Sequence, residues 1–125
     1  MRLLLDTHAF LWFANGDKHL PAQSRVLIES ELNSCWVSIA SFWEIVIKVT
    51  IGKLDTEMEV LLERSRAVDI RILSIDTSHL LQLKTLPLHH RDPFDRMIIA
   101  QALTEDLTII TKDQHFAAYG VKTLW

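Results

Sequence analysis

Apolar residues in this chain fall into two kinds of run, short continuous ones and longer ones spaced at helical intervals, and the two alternate along its length. Leu3-Leu4-Leu5, ending in Asp6-Thr7, predicts a buried strand handing over to a helix from His8 to Ala14 that Asn15-Gly16 closes. Pro21 opens a second helix, with Val26, Leu27, Ile28 and Leu32 as its buried side and Asn33-Ser34 as its end. Cys35-Trp36-Val37-Ser38-Ile39 reads as the second strand. The next helix carries Phe42, Ile45, Val46 and Val49 at i, i+3, i+4 and i+7 and stops near Gly52, with Glu44 and Lys48 sharing a face away from that stripe. Thr56 and Glu59 form a capping-box pattern for a helix running to Ala67 that turns Met58, Leu61 and Leu62 inward.

Ile70 to Ile75 predicts a third strand, and a helix through Leu80, Leu81 and Leu83 stops at Pro87. Pro93 suits the first position of a helix, where its missing N–H costs nothing, and Asp92 suits the N-cap before it. That helix, through Leu103, is apolar on almost every side and so is expected to be buried. Leu107 to Ile110 is the fourth strand, Gln114 to Tyr119 a short helix ended by Gly120, and Val121 to Trp125 the last strand. Strands that are apolar on both faces and alternate with helices predict a parallel sheet covered on both sides. The fold class is therefore α/β, a three-layer α/β/α arrangement with a small parallel sheet, in one domain spanning residues 1–125.

Composition narrows the function. A formal charge of −3 is not that of a strong non-specific nucleic-acid binder, although neutralising four acids in a metal site would bring it to +1. Cys35 is the only cysteine, which excludes an internal disulfide and a cysteine-rich metal site and leaves a buried thiol as its expected role. No run is long enough to span a membrane or to form a signal-peptide core, so a cytoplasmic protein is expected. No G-x-S-x-G, P-loop or G-x-G-x-x-G motif is present to supply a nucleophile or a nucleotide cradle.

What remains is a set of acids. In a parallel α/β sheet, sites form beyond the carboxyl ends of the strands where strand order reverses. Asp6 ends strand one, Asp113 follows strand four, and Glu44 lies one turn into the helix after strand two. Asp95 stands at the third position of a helix whose start follows a loop, so this rule does not place it. Ordinary roles are open to each: Asp6, Asp92 and Asp113 as caps, Glu44 in a Ser41-x-x-Glu44 capping box or paired with Lys48, and Asp95 facing the helix dipole. Carboxylates crowded together would raise one another's pKa, and a divalent cation relieves that. All-oxygen ligation suits Mg²⁺ or Mn²⁺, ions suited to hydrolysing a phosphodiester with activated water.

With those residues in view, the chain resembles PIN-domain proteins of the VapC toxin type over essentially its whole length. The resemblance rests on Leu4-Leu5-Asp6-Thr7-His8, on Ser38-Ile39-Ala40-Ser41-Phe42-Trp43-Glu44-Ile45, on Asp92-Pro93-Phe94-Asp95-Arg96 with Ile99-Ala100-Gln101-Ala102, and on Thr111-Lys112-Asp113. It implies that Asp6, Glu44, Asp95 and Asp113 form an acidic quartet binding Mg²⁺ or Mn²⁺, with Asp92 an N-cap or a peripheral metal contact. Thr7 and Thr111 match polar neighbours that orient the site. It also implies that Asp6's strand is central, and that the chain forms a homodimer, hydrolyses RNA and is inhibited by a small antitoxin.

Lys48, Lys53, Arg91, Arg96 and Lys112 lie near the acids in sequence and are candidates for RNA phosphates, with surface ion pairs as the plain alternative. Trp12, Phe42 and Trp43 are expected in the core rather than under bases, and His8, His89 and His90 in loops or caps. A phospho-receiver would need an acidic pair after strand one, and a haloacid-dehalogenase phosphatase a second Asp at position 8, where His8 stands. The rival that remains is a PIN-like module that binds RNA or a partner without cutting.

Overall fold

The alternation of strand side chains fixes the layers. Leu3 and Leu5 enter one hydrophobic cluster with Phe10, Ile28, Val37, Phe42, Ile45 and Leu61, whereas Leu4 enters a second with Ile98, Ile99, Ile109 and Phe116. A three-residue apolar run therefore seeds both cores at once. The computed structural model describes residues 1–125. Its elements run β1 (Arg2–Leu5), α1 (Thr7–Ala14), α2 (Ala22–Glu29), β2 (Ser34–Ser38), α3 (Ile39–Thr50), α4 (Met58–Ala67), β3 (Ile70–Leu73), α5 (Thr77–Thr85), α6 (Pro93–Glu105), β4 (Thr108–Ile110), a 3-10 helix (Gln114–Tyr119) and β5 (Thr123–Leu124).

The five strands form a sheet of order β3-β2-β1-β4-β5, and every neighbouring pair is parallel. β1 is central, as expected, with Leu4 aligned to Trp36 of β2 on one side and to Ile109 of β4 on the other. The chain steps outward from β1 through β2 to β3 and then crosses back to β4, so strand order reverses between β1 and β4. The Asp6 N–H donates to the Ile110 carbonyl at 3.1 Å and continues the pairing to the lip of that crevice.

Several expectations shift. α2 ends at Glu29, well short of Asn33, and Leu32 is 91% exposed and Val26 65% exposed, so of the four expected apolar contacts Ile28 and the partly buried Leu27 remain, beside a buried Ser24. On α3 the buried face includes Ser41 and Glu44 together with Phe42 and Ile45. The helix is thereby rotated toward the acidic edge of the sheet, and Val46 is left outside at 44% exposure. Ser38, not Ser41, caps α3, its Oγ accepting the Ala40 N–H at 3.0 Å, so no Ser41–Glu44 capping box forms. The Thr56–Glu59 box does not form either, since α4 starts from Glu57 with no side-chain cap. β3 stops at Leu73, and Asp76 instead makes a capping box with His79 at the start of α5. Leu80 and Leu81 face water on α5, and β5 holds only two residues. Cys35 is buried, and desolvation pushes its thiol up to about 11. No helix is long and apolar enough to cross a membrane.

Candidate active site

Four elements deliver the acids to the reversal point. Asp6 and Asp113 follow adjacent strands, and each caps the helix it introduces: Asp6 accepts the Ala9 N–H at 2.8 Å, and Asp113 accepts the His115 N–H at 2.8 Å. The capping roles and the clustering are both realised. α3 leaves the carboxyl end of β2, which brings Glu44 to the same edge one turn later. α6 leads back into a parallel strand, so it starts at the carboxyl edge and sets Asp95 in its first turn over the crevice. Asp6, Glu44, Asp92, Asp95 and Asp113 line one cavity of about 150 Å³, with Thr7, His8, Lys48 and Phe116.

The acids are held by short bonds. Thr7, 2% exposed, donates from Oγ1 to Glu44 Oε1 at 2.8 Å. Its single proton is thus committed, and the Ser41 hydroxyl at 3.0 Å is left to act as donor toward Thr7. The other oxygen of Glu44, Oε2, pairs with Lys48 Nζ at 3.0 Å, one helical turn on. Thr111 stands between two acids: its Oγ1 accepts the Asp113 N–H at 3.0 Å, and its hydroxyl beside Asp6 favours that carboxylate's charged form. Asp92 is the N-cap of α6, with Oδ1 accepting the Phe94 N–H at 2.8 Å and the Asp95 N–H at 3.2 Å.

Charge in the cavity is unbalanced. Burial pushes the Asp95 carboxyl up to about 8, and the carboxylates of Asp92, Glu44, Asp6 and Asp113 reinforce the shift. Burial likewise raises Asp6, opposed by its bonds to Thr111 and Ala9. Asp113 also loses solvent, yet hydrogen bonds from His115 and His90 hold it below the usual carboxylate range. Metal-free, the site therefore retains a proton on Asp95 at neutral pH. A divalent cation would relieve that crowding of charge, and the hard oxygen atoms of the donor set fit Mg²⁺ or Mn²⁺. His90, Asp95 and Asp113 each bring a potential ligand atom within 4.8 Å of the others.

His90 is the site residue that sequence reasoning assigned to a loop or cap. Its Nε2 lies 3.3 Å from Asp95 Oδ2 and 3.3 Å from Asp113 Oδ2, and its Nδ1 accepts the Asp92 N–H at 3.1 Å. A ring that accepts at Nδ1 carries its hydrogen on Nε2, so His90 faces the acids as a donor. Nothing local marks it in the sequence, because the loop is folded by distant partners. Tyr119 Oη accepts the His90 N–H at 2.7 Å, while Arg96 donates to the carbonyls of Pro87 at 2.7 Å and Leu86 at 3.3 Å and reaches Tyr119 Oη at 3.2 Å. Arg96 therefore pins the loop instead of presenting a free guanidinium to phosphate.

The other cations separate. Lys112 is exposed and borders a recess of about 250 Å³ shared with Asp6, Asp113, His8 and Trp12. Arg91 lines a different hollow with Leu83, Leu88, Pro93 and Arg96, and Lys53 is exposed and lines neither cavity around the acids. Phe42 is in the core, edge-on to Phe10. Trp43 is not: it is 60% exposed and meets Phe94 edge-on at 5.2 Å. His89 packs edge-on against Tyr119, whereas His8 is exposed at the cavity.

A family model described as the PIN domain matches residues 3–122. No curated protein matches the sequence. Among solved structures, the fold is similar to VapBC2 from Rickettsia felis bound to a DNA fragment from the promoter, at a TM-score of 0.75 and 14% identity over 100% of this chain and 99% of that one. It is also similar to FitAcB from Neisseria gonorrhoeae, at 0.67 and 19% over 98% and 96%. A third similar structure is VapBC-5 from Mycobacterium tuberculosis, a member of the VapBC family of toxin-antitoxin systems, at 0.59 and 20% over 98% and 97%. At these identities the likeness is one of fold.

Proposed function

Given that the chain belongs to the PIN domain family, we propose that it is a VapC-type toxin, a metal-dependent endoribonuclease that hydrolyses RNA phosphodiesters with activated water. The observation that carries this reading is the meeting of Asp6, Glu44, Asp95 and Asp113, from four separate elements, in one cavity where burial and the neighbouring carboxylates push Asp95 up to about 8. Those four residues are the proposed holders of Mg²⁺ or Mn²⁺, with Asp92 at the periphery. When bound, such an ion lowers the pKa of water and neutralises charge on phosphoryl oxygens.

The protein's own part is preorganisation. Thr7 and Lys48 fix the two oxygens of Glu44, and Thr111 holds Asp6 and Asp113 in register. His90 offers its Nε2 hydrogen to Asp113 and stands equally close to Asp95 Oδ2, which keeps the two acids converged. Lys112, free at the rim, offers an ammonium to a neighbouring phosphate. The toxin assignment brings with it a small antitoxin that blocks the site, a homodimer, a single domain over residues 1–125 and a cytoplasmic setting, all inferred from the family resemblance and from the VapBC systems whose fold it shares.

The test is cleavage of a mixed RNA pool by purified protein with Mg²⁺, with Mn²⁺ and with EDTA, alongside Asp6→Asn. Metal-dependent cutting that Asp6→Asn lacks is the expected result. Specific RNA binding without cutting in any condition, by protein that mass spectrometry shows to be free of a co-purified partner, would turn the assignment to a binding module.

A further inference from the structure

Beside the acids lies a second recess, of about 250 Å³, which the chemistry proposed above leaves without an occupant. It is walled by His8, Trp12 and Lys112 and opens onto Asp6 and Asp113. His8 and Trp12 are one turn apart on α1, with ring centroids 5.7 Å from each other and tilted by 41°. Trp12 is braced by its neighbours. His19 stacks on it at 5.3 Å and 25°, and Trp125 leans against it at 5.7 Å. His19 is itself tied down by Asp17, whose Oδ1 accepts the His19 N–H at 2.9 Å and lies 2.6 Å from Nδ1. The indole is also packed against the hydrophobic core, so it forms a rigid wall.

An aromatic wall, an exposed imidazole and one free ammonium beside an acidic cluster suit a flat π-system attached to a phosphate. We propose that this recess holds one nucleobase of the RNA next to the phosphodiester that reacts at the acids, stacked on Trp12 and His8, with Lys112 on the flanking phosphate. The inference rests on the endoribonuclease reading and adds to it where the substrate lies. The recess is smaller than the roughly 300 Å³ at which sites for drug-sized ligands begin, which matches one ring system and not a whole dinucleotide. A stack on a rigid indole needs no ordering of the protein and accepts any base face. This subsite therefore anchors the strand and reads little sequence.

The experiment measures binding separately from cutting. In an Asp95→Asn background with Mg²⁺, a labelled mixed-sequence single-stranded RNA is titrated by fluorescence anisotropy, alongside a base-free ribose–phosphate strand of equal length. Trp12→Leu and His8→Ala are expected to weaken the RNA roughly ten-fold each, the size of one lost base stack, and to leave the base-free strand unchanged. Lys112→Ala is expected to weaken both strands. Trp12 touches the core, so its variant is compared at a matched thermal melt. If it does not fold, His8→Ala, which is exposed, decides the matter. Indifference of RNA binding to the aromatic variants, or equal losses for both strands, overturns the subsite and leaves the recess to a partner protein's side chain. Wild-type protein that cuts RNA, with Trp12→Leu cutting at an unchanged KM, sinks the subsite alone. Base-dependent binding by protein that never cuts sinks the nuclease reading alone.

Discussion

His90 Nε2 stands 3.3 Å from Asp95 Oδ2, and the same nitrogen is equally far from Asp113 Oδ2. The Asp92 N–H occupies the ring's other nitrogen, which places the hydrogen on Nε2 and turns His90 toward the acids as a donor, hydrogen-bonded to Asp113. The imidazole thus partly fills, from the side, the electrostatic gap that the carboxylates create.

The direction of a metal-binding experiment follows. His90→Ala is expected to leave Mn²⁺ affinity unchanged or tighter, because a competitor for two carboxylate oxygens is removed. Isothermal titration with Mn²⁺ checks it. A ten-fold or larger weakening would instead make His90 a ligand through Nε2.

Stability of the metal-free protein should depend on pH through Asp95. Its carboxyl is pushed up to about 8 when folded and has the ordinary carboxylate value of 3.8 when unfolded, so between those values the folded state holds the extra proton. Stability from this group is then full below about pH 4 and is lost as pH rises toward 8. Asp6, also raised, acts with the same sign, whereas Asp113, which is lowered, contributes stability that is lost only as pH falls through the acid range. In EDTA, Asp95→Asn is expected to be more stable than wild type at about pH 8, by on the order of 2 kcal/mol, and equal to it at about pH 4. Urea melts at both pH values measure this. A wild type that gains stability toward pH 8 relative to Asp95→Asn contradicts the assigned charge state.

Thr7 offers a cleaner structural probe. Thr7→Val keeps the shape and removes the hydroxyl, leaving Glu44 Oε1 and Ser41 Oγ without their shared partner at a buried position. The expected loss is about 1–3 kcal/mol in a urea melt, the cost of an unsatisfied buried polar group. Cleavage should fall through kcat more than KM, since Glu44 loses its orientation and not its charge. An unchanged kcat would mean that Lys48 alone is enough to hold Glu44.

The sheet and most of the site were readable because period and position carry them. Leu3-Leu4-Leu5 ending at Asp6 reads as a buried strand handing over to a helix, and Thr111-Lys112-Asp113 repeats the same strand-to-cap handover. Asp95 was legible by an unused rule: a helix that feeds a parallel strand begins at the carboxyl edge, and α6 feeds β4. The rotation of α3 was not readable from its apolar spacing, because its inward face is partly polar: Ser41 and Glu44 turn inward to meet Thr7. His90 was hidden for another reason. Its loop takes its shape from Arg96 and Tyr119, partners whose approach depends on how α6 and the 3-10 helix pack.

That loop gives a test of what Arg96 does. If its guanidinium met RNA, removing it would weaken binding and also flatten the salt dependence, by about 0.7 in the log–log slope for one phosphate on a single strand. Arg96 instead bonds Pro87, Leu86 and Tyr119, and through them holds the segment that carries His90 and Asp92. Arg96→Leu is therefore expected to cut RNA roughly ten-fold more slowly while the slope of RNA affinity against salt stays at the wild-type value, a misplacement effect. Lys112→Ala, measured in parallel, is expected to lower the slope by about 0.7. The two variants thus separate a cation that positions the acids from one that meets the substrate, and a flattened slope in Arg96→Leu would return Arg96 to the RNA interface.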